Sequence, residues 1–256
     1  MQQTHLLQRF KQSIERMLSK PTTLLNPLEA YQLWAENYDD ADGNALLFAE
    51  GRAVQRYLGA SLLQNKDVLD AGCGTGRNLQ MLQEYHPRMI AATDLSPNML
   101  DKARTKIDGS TPTSLHVARV EQLPFSDASF DFVLCTLVLG HVEKLISAIS
   151  QLSRVLRHGG TMMITDFHPF GQLLGWHRTF RGGKDHQQRF YAVKYYAHLY
   201  SEYFDSFKQT GLELIRMEEP TIDESLIRFY EKAGRTDIYQ RYKGYPMLLI
   251  FEVRKK

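Results

Sequence analysis

The chain has 256 residues, of which 43% are hydrophobic and 23% are charged, a composition typical of globular proteins and not of disordered ones. The formal net charge of +2 is too weak to drive wholesale binding to nucleic acid. No apolar run reaches the ~18 residues of a membrane-spanning helix, and the N-terminus lacks the basic-then-apolar order of a signal peptide. The two cysteines, Cys73 and Cys135, exclude a disulfide scaffold or a cysteine-based zinc site. We therefore expect a cytoplasmic protein.

Two helices are predicted at the start of the chain. Apolar residues spaced by three or four positions predict an amphipathic helix over residues 5–18. We expect this helix to pack on its own domain, the alternative being a helix that lies on a membrane surface. A second short helix is predicted over 28–38. Residues 1–40 are therefore assigned to an N-terminal helical cap and residues 41–256 to one larger domain.

From residue 52 to residue 167, strand-like apolar runs alternate with helical periodicity. Such βα units imply an α/β fold with a largely parallel sheet and helices on both faces. Strands are predicted at 67–70, 89–94, 114–118, 131–136 and 161–167, and helices at 52–63, 77–84, 97–106 and 144–156. The last of these helices is expected to stop at Gly159-Gly160.

The pattern changes after residue 167. Residues 168–196 contain four glycines between 171 and 183 and have no clear period, which predicts an inserted lid within the larger domain. A helix over 201–210 and strands over 212–217 and 247–253 are predicted to complete the chain.

The sequence VLDAGCGTGRN is the most informative segment. A buried strand ends at Asp70, and Gly72, Gly74 and Gly76 follow before a helix begins. Alternating glycines permit a tight turn and let a ligand approach the main chain, and a helix N-terminus adds free N–H groups. In open α/β sheets, ligands bind at this edge of the sheet. Asp94 lies 18 residues after Gly76, close to the spacing of an acid that binds ribose hydroxyls.

Two cofactors fit this pattern, a nicotinamide dinucleotide and S-adenosylmethionine. Dinucleotide sites require the spacing GxGxxG, whereas this loop has GxGxG directly after an acidic strand end. A carboxylate at that position repels a pyrophosphate and suits a ligand that carries an ammonium group. The loop therefore favours S-adenosylmethionine, and a dehydrogenase is the weaker alternative.

Four segments, taken in order, resemble the successive motifs of class I S-adenosylmethionine-dependent methyltransferases. They are VLDAGCGTGRNLQML, ATDLSPNMLDKAR, VEQLPFSDASFDFVLCTLVLGHV and LSRVLRHGGTMMITD. The chain is most similar there to the subgroup of quinone-biosynthesis and biotin-pathway methyltransferases (methyltransferase type 11). The resemblance implies a Rossmann-like, doubly wound sheet of about seven strands, mostly parallel with a last antiparallel strand. It also implies S-adenosylmethionine as cofactor and S-adenosylhomocysteine as product.

The resemblance also implies which residues bind the cofactor. The glycine loop would hold the methionine end, Asp94 the ribose, and Thr136 would approach the sulfonium. The complete set is Tyr31, Tyr38, Asp70, Ala71, Gly72, Gly74, Asp94, Leu95, Val120, Glu121 and Thr136. One position departs from the family pattern. Arg119 stands where relatives carry an aspartate that accepts from the adenine amino group, and arginine has only donors.

Methyl transfer to a hydroxyl or a carbon acid needs a base, whereas transfer to a carboxylate does not. His168, which follows the fifth predicted strand, is the first candidate, because that strand end faces the ligand crevice. His141 follows the fourth strand and His198 precedes the late helix, so both are further candidates. The gaps between the histidines at 168, 177, 186 and 198 match no short metal-ligand motif, and no metal is predicted.

The predicted lid is basic and aromatic. Between residues 177 and 194 it has five Lys and Arg residues against the single acid Asp185. Arg178, Arg181 and Tyr196 are predicted to contact the substrate, since arginine binds carboxylate or phosphate with two hydrogen bonds. The alternative is a solvated basic loop.

These features predict a methyltransferase that acts on an oxygen or carbon of a small acidic or amphiphilic molecule. We expect that acceptor as the partner, no DNA, and a monomer or homodimer. The alternatives are an RNA-modifying methyltransferase and a non-catalytic, cofactor-binding partner subunit.

Overall fold

The computed structural model of the protein describes residues 23–39, 44–182 and 189–256, apart from the side chains at 181, 182, 189 and 190. The predicted helix over 5–18 lies outside the described residues. In chain order the strands are β1 (Thr23–Leu25), β2 (Asp67–Ala71), β3 (Met89–Asp94), β4 (Thr113–Val117), β5 (Phe130–Thr136), β6 (Leu156–Phe167), β7 (Thr179–Gly182), β8 (Arg189–Val193), β9 (Leu212–Glu218) and β10 (Leu248–Lys255).

Helices connect most of these strands. They are α1 (Pro27–Trp34), α2 (Ala45–Tyr57), α3 (Ala60–Leu63), α4 (Leu79–Glu84), α5 (Pro97–Arg104), α6 (Leu145–Val155), α7 (Pro169–Leu173), α8 (Tyr200–Gln209), α9 (Ile227–Lys232) and α10 (Thr236–Tyr242), with 3-10 turns at Leu139–His141 and Glu224–Leu226.

The central sheet has seven strands in the order β4-β3-β2-β5-β6-β10-β9. The ladders from β4 to β6 are parallel, and β10 runs antiparallel to both β6 and β9. This confirms the α/β, doubly wound, Rossmann-like sheet with a last antiparallel strand. Because the carboxyl ends of β2, β3 and β5 are neighbours, the residues that follow these strands meet at one edge of the sheet.

Both faces of the central sheet are covered by helices, and side chains that alternate along each strand enter the cores on the two faces. In β5, Phe132 and Leu134 belong to the core beneath α2, α4 and α5. Val133 and Cys135 of the same strand belong to the core beneath α6 and α8. The continuous apolar run of β5 is therefore typical of a parallel strand covered on both faces.

Two predicted boundaries are wrong. The helix expected at 52–63 begins at Ala45, because the Asn44 side chain caps it by accepting from the Leu47 N–H at 3.2 Å. The strand expected at 161–167 begins at Leu156, directly after α6. The Gly159-Gly160 pair lies inside that strand, where the β5–β6 register shifts, so the glycines mark a bulge and not the end of a helix.

A second, small sheet joins the two segments that the sequence assigns separately to a cap and a lid. Its strand order is β1-β8-β7, with β1 parallel to β8. The aromatic rings of Trp34 in α1 and Phe180 in β7 stack with centroids 4.7 Å apart. The described parts of the N-terminal segment and of the lid therefore pack against each other. Among the described residues, no helix is long and apolar enough to cross a bilayer.

Candidate functional site

The glycine loop between β2 and α4 has the backbone that its sequence predicts. Gly74 and Gly76 have φ angles of +56° and +75°, a region that side chains other than glycine rarely adopt. A Cβ at Gly76 would lie 3.0 Å from the Ala103 backbone, whereas a Cβ at Gly74 would meet nothing within 4 Å. Gly76 is therefore needed for helix packing, and Gly74 leaves room for a ligand.

Asp94, at the end of β3, ties this loop to the next strand. Its two carboxylate oxygens accept from the Gly74 N–H at 2.9 Å and from the Ser96 N–H at 2.8 Å. Burial raises the pKa of Asp94, and these backbone hydrogen bonds oppose the rise. Each oxygen keeps a free lone-pair direction, which is what a pair of ribose hydroxyls requires.

A cavity of about 640 Å³ opens above the loop and Asp94. Nine of the eleven residues predicted to bind the cofactor line it. These are Tyr31, Tyr38, Gly72, Gly74, Asp94, Leu95, Val120, Glu121 and Thr136. Within the described residues, Thr136 also accepts from the Asn78 side-chain amide at 3.1 Å. Residues separated by about a hundred positions in sequence therefore share one cavity.

Asp70 and Ala71 are fully buried at the end of β2 and do not form the cavity wall. Both carboxylate oxygens of Asp70 lack a hydrogen-bond partner within the described part of the chain. Burial raises the pKa of Asp70 to about 7, Arg77 opposes the rise, and Glu50 and Asp94 add to it. A buried carboxylate without partners is costly, and a cation beside the glycine loop would satisfy it. This observation fits a ligand whose ammonium group lies at that loop.

Arg119 lies at the cavity wall and faces Glu121. Its guanidinium pairs with the Glu121 carboxylate at 3.0 Å, and its side chain is 58% exposed. Arg119 therefore supplies no acceptor for an adenine amino group, as the sequence predicts. The neighbouring Glu121 is a carboxylate acceptor at the same end of the cavity.

One candidate base, His141, lines the cavity and contacts Tyr31. The His141 Nδ1–H donates to the Lys194 carbonyl at 3.1 Å, which leaves Nε2 as an acceptor. The Tyr31 hydroxyl donates to that Nε2 at 2.7 Å. Burial lowers the pKa of His141 to about 3, and Arg178 adds to the lowering. His141 is therefore neutral at pH 7, with its lone pair directed at Tyr31.

The structure places the other two histidines outside the cavity lining. His168 caps α7, where its Nδ1 accepts from the Phe170 N–H at 3.1 Å, and its Nε2–H donates to Glu219 at 2.9 Å. The His198 Nε2–H donates to the Val142 carbonyl at 2.8 Å. Both rings are buried and their nitrogens are occupied by protein partners. The predicted fifth strand is part of β6, and the histidine that follows it begins α7 and does not line the cavity.

Of the two predicted substrate residues whose side chains are described, Tyr196 lines the cavity and Arg178 does not. The Tyr196 hydroxyl donates to Glu143 at 3.3 Å. Arg178 is buried, with 7% of its surface exposed. Its guanidinium lies 5.9 Å from the ring centroid of Tyr31 and 5.6 Å from that of Trp34. It also donates to the Tyr38 hydroxyl at 3.3 Å. It therefore sits behind the tyrosines. Arg181 belongs to β7, and its side chain lies outside the described residues.

Two cations outside the predicted set of site residues also line the cavity. Lys194 follows β8 and Lys144 precedes α6. Lys194 lies 5.0 Å from the ring centroid of Tyr196. The basic composition of the lid includes Lys194, but only the β1–β8 pairing shows that this residue, and not Arg178, reaches the site.

Comparison with known proteins agrees with this geometry. Residues 69–164 match the family described as "Methyltransferase domain". The chain is 35% identical over 119 residues to a malonyl-[acyl-carrier protein] O-methyltransferase of Serratia marcescens, covering 44% of this chain and 45% of the relative. It is 32% identical over 144 residues to the 27-O-demethylrifamycin SV methyltransferase of Amycolatopsis mediterranei, covering 53% of each. The matches thus span about half the length of these relatives.

The fold has solved counterparts. The structure superposes on a putative S-adenosylmethionine-dependent methyltransferase from Listeria monocytogenes with a TM-score of 0.63 and 19% identity, covering 82% of this chain and 99% of the other. The expected methyltransferase resemblance is thereby confirmed over residues 69–164, and the superposition confirms the expected fold. The roles of individual site residues stay predictions.

Proposed function

We propose that this chain, which carries a class I S-adenosylmethionine-dependent methyltransferase domain, transfers a methyl group to an oxygen of a small acidic molecule. The observation that carries the proposal is the single cavity in which the glycine loop and Asp94 face the Tyr31–His141 pair. The names of two relatives, a malonyl-[acyl-carrier protein] O-methyltransferase and a 27-O-demethylrifamycin SV methyltransferase, support oxygen over carbon as the acceptor atom.

The residues present fit the cofactor. Asp94 offers free lone pairs to the ribose, Gly74 offers space, and Asp70 offers a buried negative charge to the ammonium group. Leu95 and Val120 line the part of the cavity next to Asp94, where they can cover the adenine. When bound, S-adenosylmethionine supplies a methyl group activated by a positively charged sulfur.

The Tyr31–His141 pair supplies the proton acceptor. Because the Lys194 carbonyl fixes the His141 tautomer, the Tyr31 proton is directed at Nε2 and the Tyr31 oxygen keeps lone pairs. An acceptor hydroxyl that donates to Tyr31 can pass its proton along this path as its oxygen takes up the methyl group. The burial that keeps His141 neutral also excludes water from the path.

The acidic end of the acceptor is assigned to Lys144 and Lys194. Both line the cavity, as do Tyr196 and Ser147, and α6 begins directly after Lys144. Arg119 is already paired with Glu121. Lysine ammonium groups at a cavity mouth attract a carboxylate or phosphate without requiring a fixed geometry.

The first test replaces His141 with asparagine, which keeps a donor for the Lys194 carbonyl and removes the basic ring nitrogen that accepts from Tyr31. We expect kcat to fall about 100-fold, the low end of the contribution of a general base, because the lowered pKa makes His141 a weak base. Binding of S-adenosylmethionine should not change. His198→Asn is the matched control, because that buried ring does not line the cavity. The measurement is formation of S-adenosylhomocysteine with a panel of hydroxy acids and phenolic acids.

The pH profile gives the same test a second readout. Since the pKa of His141 is about 3, kcat at saturating cofactor should show no acid limb between pH 5 and pH 8. An acid limb near pH 6.5 that disappears in His141→Asn would contradict a buried, neutral base. Tight cofactor binding with no turnover of any acceptor would instead support the partner-subunit alternative.

The acidic-substrate proposal predicts a selective change in KM. Lys194→Ala and Lys144→Ala should each raise the KM for an acidic acceptor about fivefold, the strength of a partly exposed ion pair. The KM for the neutral amide of the same acceptor should not change, and the exposed Lys208→Ala serves as control. Equal effects on the acid and its amide would rule out recognition of the negative charge.

A further inference from the structure

The short segment Lys194–Tyr196 holds His141 in place. The Lys194 carbonyl accepts from the His141 ring, and the Tyr196 N–H donates to the Gly140 carbonyl at 2.7 Å. Between these two bonds, the Tyr195 ring meets the His141 ring edge to face with centroids 5.5 Å apart. The orientation of His141 therefore depends on where this segment lies.

Tyr195 anchors the segment to the central sheet. Its hydroxyl donates to Asp166 Oδ1 at 2.6 Å and lies 3.2 Å from the Phe167 carbonyl. Asp166 is 1% exposed at the end of β6, so it is a fixed acceptor. A buried charge-assisted hydrogen bond of this kind is strong and directional.

The packing around Tyr195 allows little movement. A Cβ added to Gly140 would lie 2.0 Å from the Tyr195 ring carbons, so the ring rests directly on the Gly140 backbone. Gly140 precedes His141 in the chain. The ring is thus held between the backbone next to His141 on one side and Asp166 at its hydroxyl end.

We propose that Tyr195, held by Asp166, is a positioning residue that fixes the tautomer and direction of the His141 ring. Its effect on catalysis rests on the proposed role of His141 as a base, whereas its effect on the ring does not. Without the Tyr195 hydroxyl, the segment loses its side-chain anchor to β6, and the Lys194 carbonyl no longer selects one ring nitrogen as the donor.

The molecule contains a matched control for this proposal. Tyr203 donates to the other oxygen of the same carboxylate, also at 2.6 Å. Its ring packs in the core against Phe207 and Phe251, and not against His141. Tyr195→Phe and Tyr203→Phe therefore remove equivalent hydrogen bonds from Asp166, and a purely structural role predicts equal consequences.

The test is nitrogen NMR of the histidine rings in the full-length protein, with the His141 signals identified by their loss in His141→Asn. In the unmodified protein and in Tyr203→Phe we expect widely separated Nδ1 and Nε2 shifts, the signature of one tautomer. In Tyr195→Phe we expect the two shifts to converge, and kcat to fall about tenfold with unchanged KM for the cofactor. Unchanged shifts in Tyr195→Phe would overturn the proposal.

A second variant acts through the same contact without removing the hydroxyl. Gly140→Ala should displace the Tyr195 ring and reproduce the convergence of the His141 shifts, and preserved shifts would count against the proposal. The two claims remain separable. If the His141 shifts converge in Tyr195→Phe while Tyr195→Phe and His141→Asn both keep full activity, the positioning role stands and the role of His141 as a base is refuted.

Discussion

Replacing Asp70 with asparagine should weaken S-adenosylmethionine binding about 100-fold at pH 8 without lowering the free energy of unfolding. The loss follows from the proposed contact between the ammonium group and the Asp70 carboxylate, which would be a charge-assisted hydrogen bond in a buried place, worth roughly 2–3 kcal/mol. The free energy of unfolding should not fall, because both Asp70 oxygens lack partners in the described residues and the substitution therefore breaks no hydrogen bond among them. Binding calorimetry and chemical denaturation measure the two quantities.

The same substitution should remove a pH dependence. The pKa of Asp70 is raised from 3.8 to about 7 in the folded protein, so the folded state binds more protons than the unfolded state between these values. The ligand-free protein should therefore lose stability as pH rises from about 4 to about 7. Cofactor affinity should change in the opposite direction, rising up to tenfold per pH unit below 7. Affinity that is equal at pH 6 and pH 8, or unchanged in Asp70→Asn, would refute the ammonium contact.

Gly74→Ala should abolish cofactor binding at micromolar concentrations and leave the protein folded. The added methyl group enters the open space at the cavity, where the cofactor is proposed to contact the loop. The expected stability loss is about 1–2 kcal/mol, which is the strain of a left-handed residue other than glycine. Thermal unfolding and calorimetric titration give the two readouts.

Gly76→Ala is the matched control, because its φ angle is also positive and the backbone strain is similar. Its methyl group would press on Ala103 and Leu79, which adds an overpacking penalty of roughly 1–3 kcal/mol. This variant should be the less stable of the two and should bind the cofactor better once folded. If Gly74→Ala binds normally, the cofactor does not lie against this loop.

The sequence predicted the parts of the site that follow neighbouring strands of the sheet. The loop at Gly72 and Gly74 and the acid Asp94 follow two neighbouring parallel strands, so their meeting is a consequence of the βα pattern. Boundaries were less predictable. The Asn44 cap that begins α2 and the bulge at Gly159-Gly160 compete with the periodicity on which the prediction relied.

The contact between Tyr31 and His141 could not be deduced, because it depends on the pairing of β1 with β8. These strands are separated by more than 160 residues and form a sheet of only three strands. No local pattern encodes that pairing. The same pairing brings Lys194, whose backbone N–H donates to the Leu25 carbonyl at 2.8 Å, to the cavity.

The burial of Arg178 could not be predicted from the number of charges in its segment. Its position in a basic segment predicted an exposed anchor for an acidic substrate. Burial between Tyr31, Tyr38 and Trp34 instead makes it part of the wall behind the cavity. Aromatic residues at 31, 34 and 38 follow helical spacing and supply the faces on which a guanidinium stacks.

The central claim is that this cavity binds S-adenosylmethionine, and calorimetric titration of the purified full-length protein tests it most directly. S-adenosylmethionine and S-adenosylhomocysteine should each bind one site at micromolar concentration, and NAD should not bind. Failure of both sulfur ligands to bind at pH 8, where Asp70 is ionised, would contradict the account, as would binding of NAD in their place.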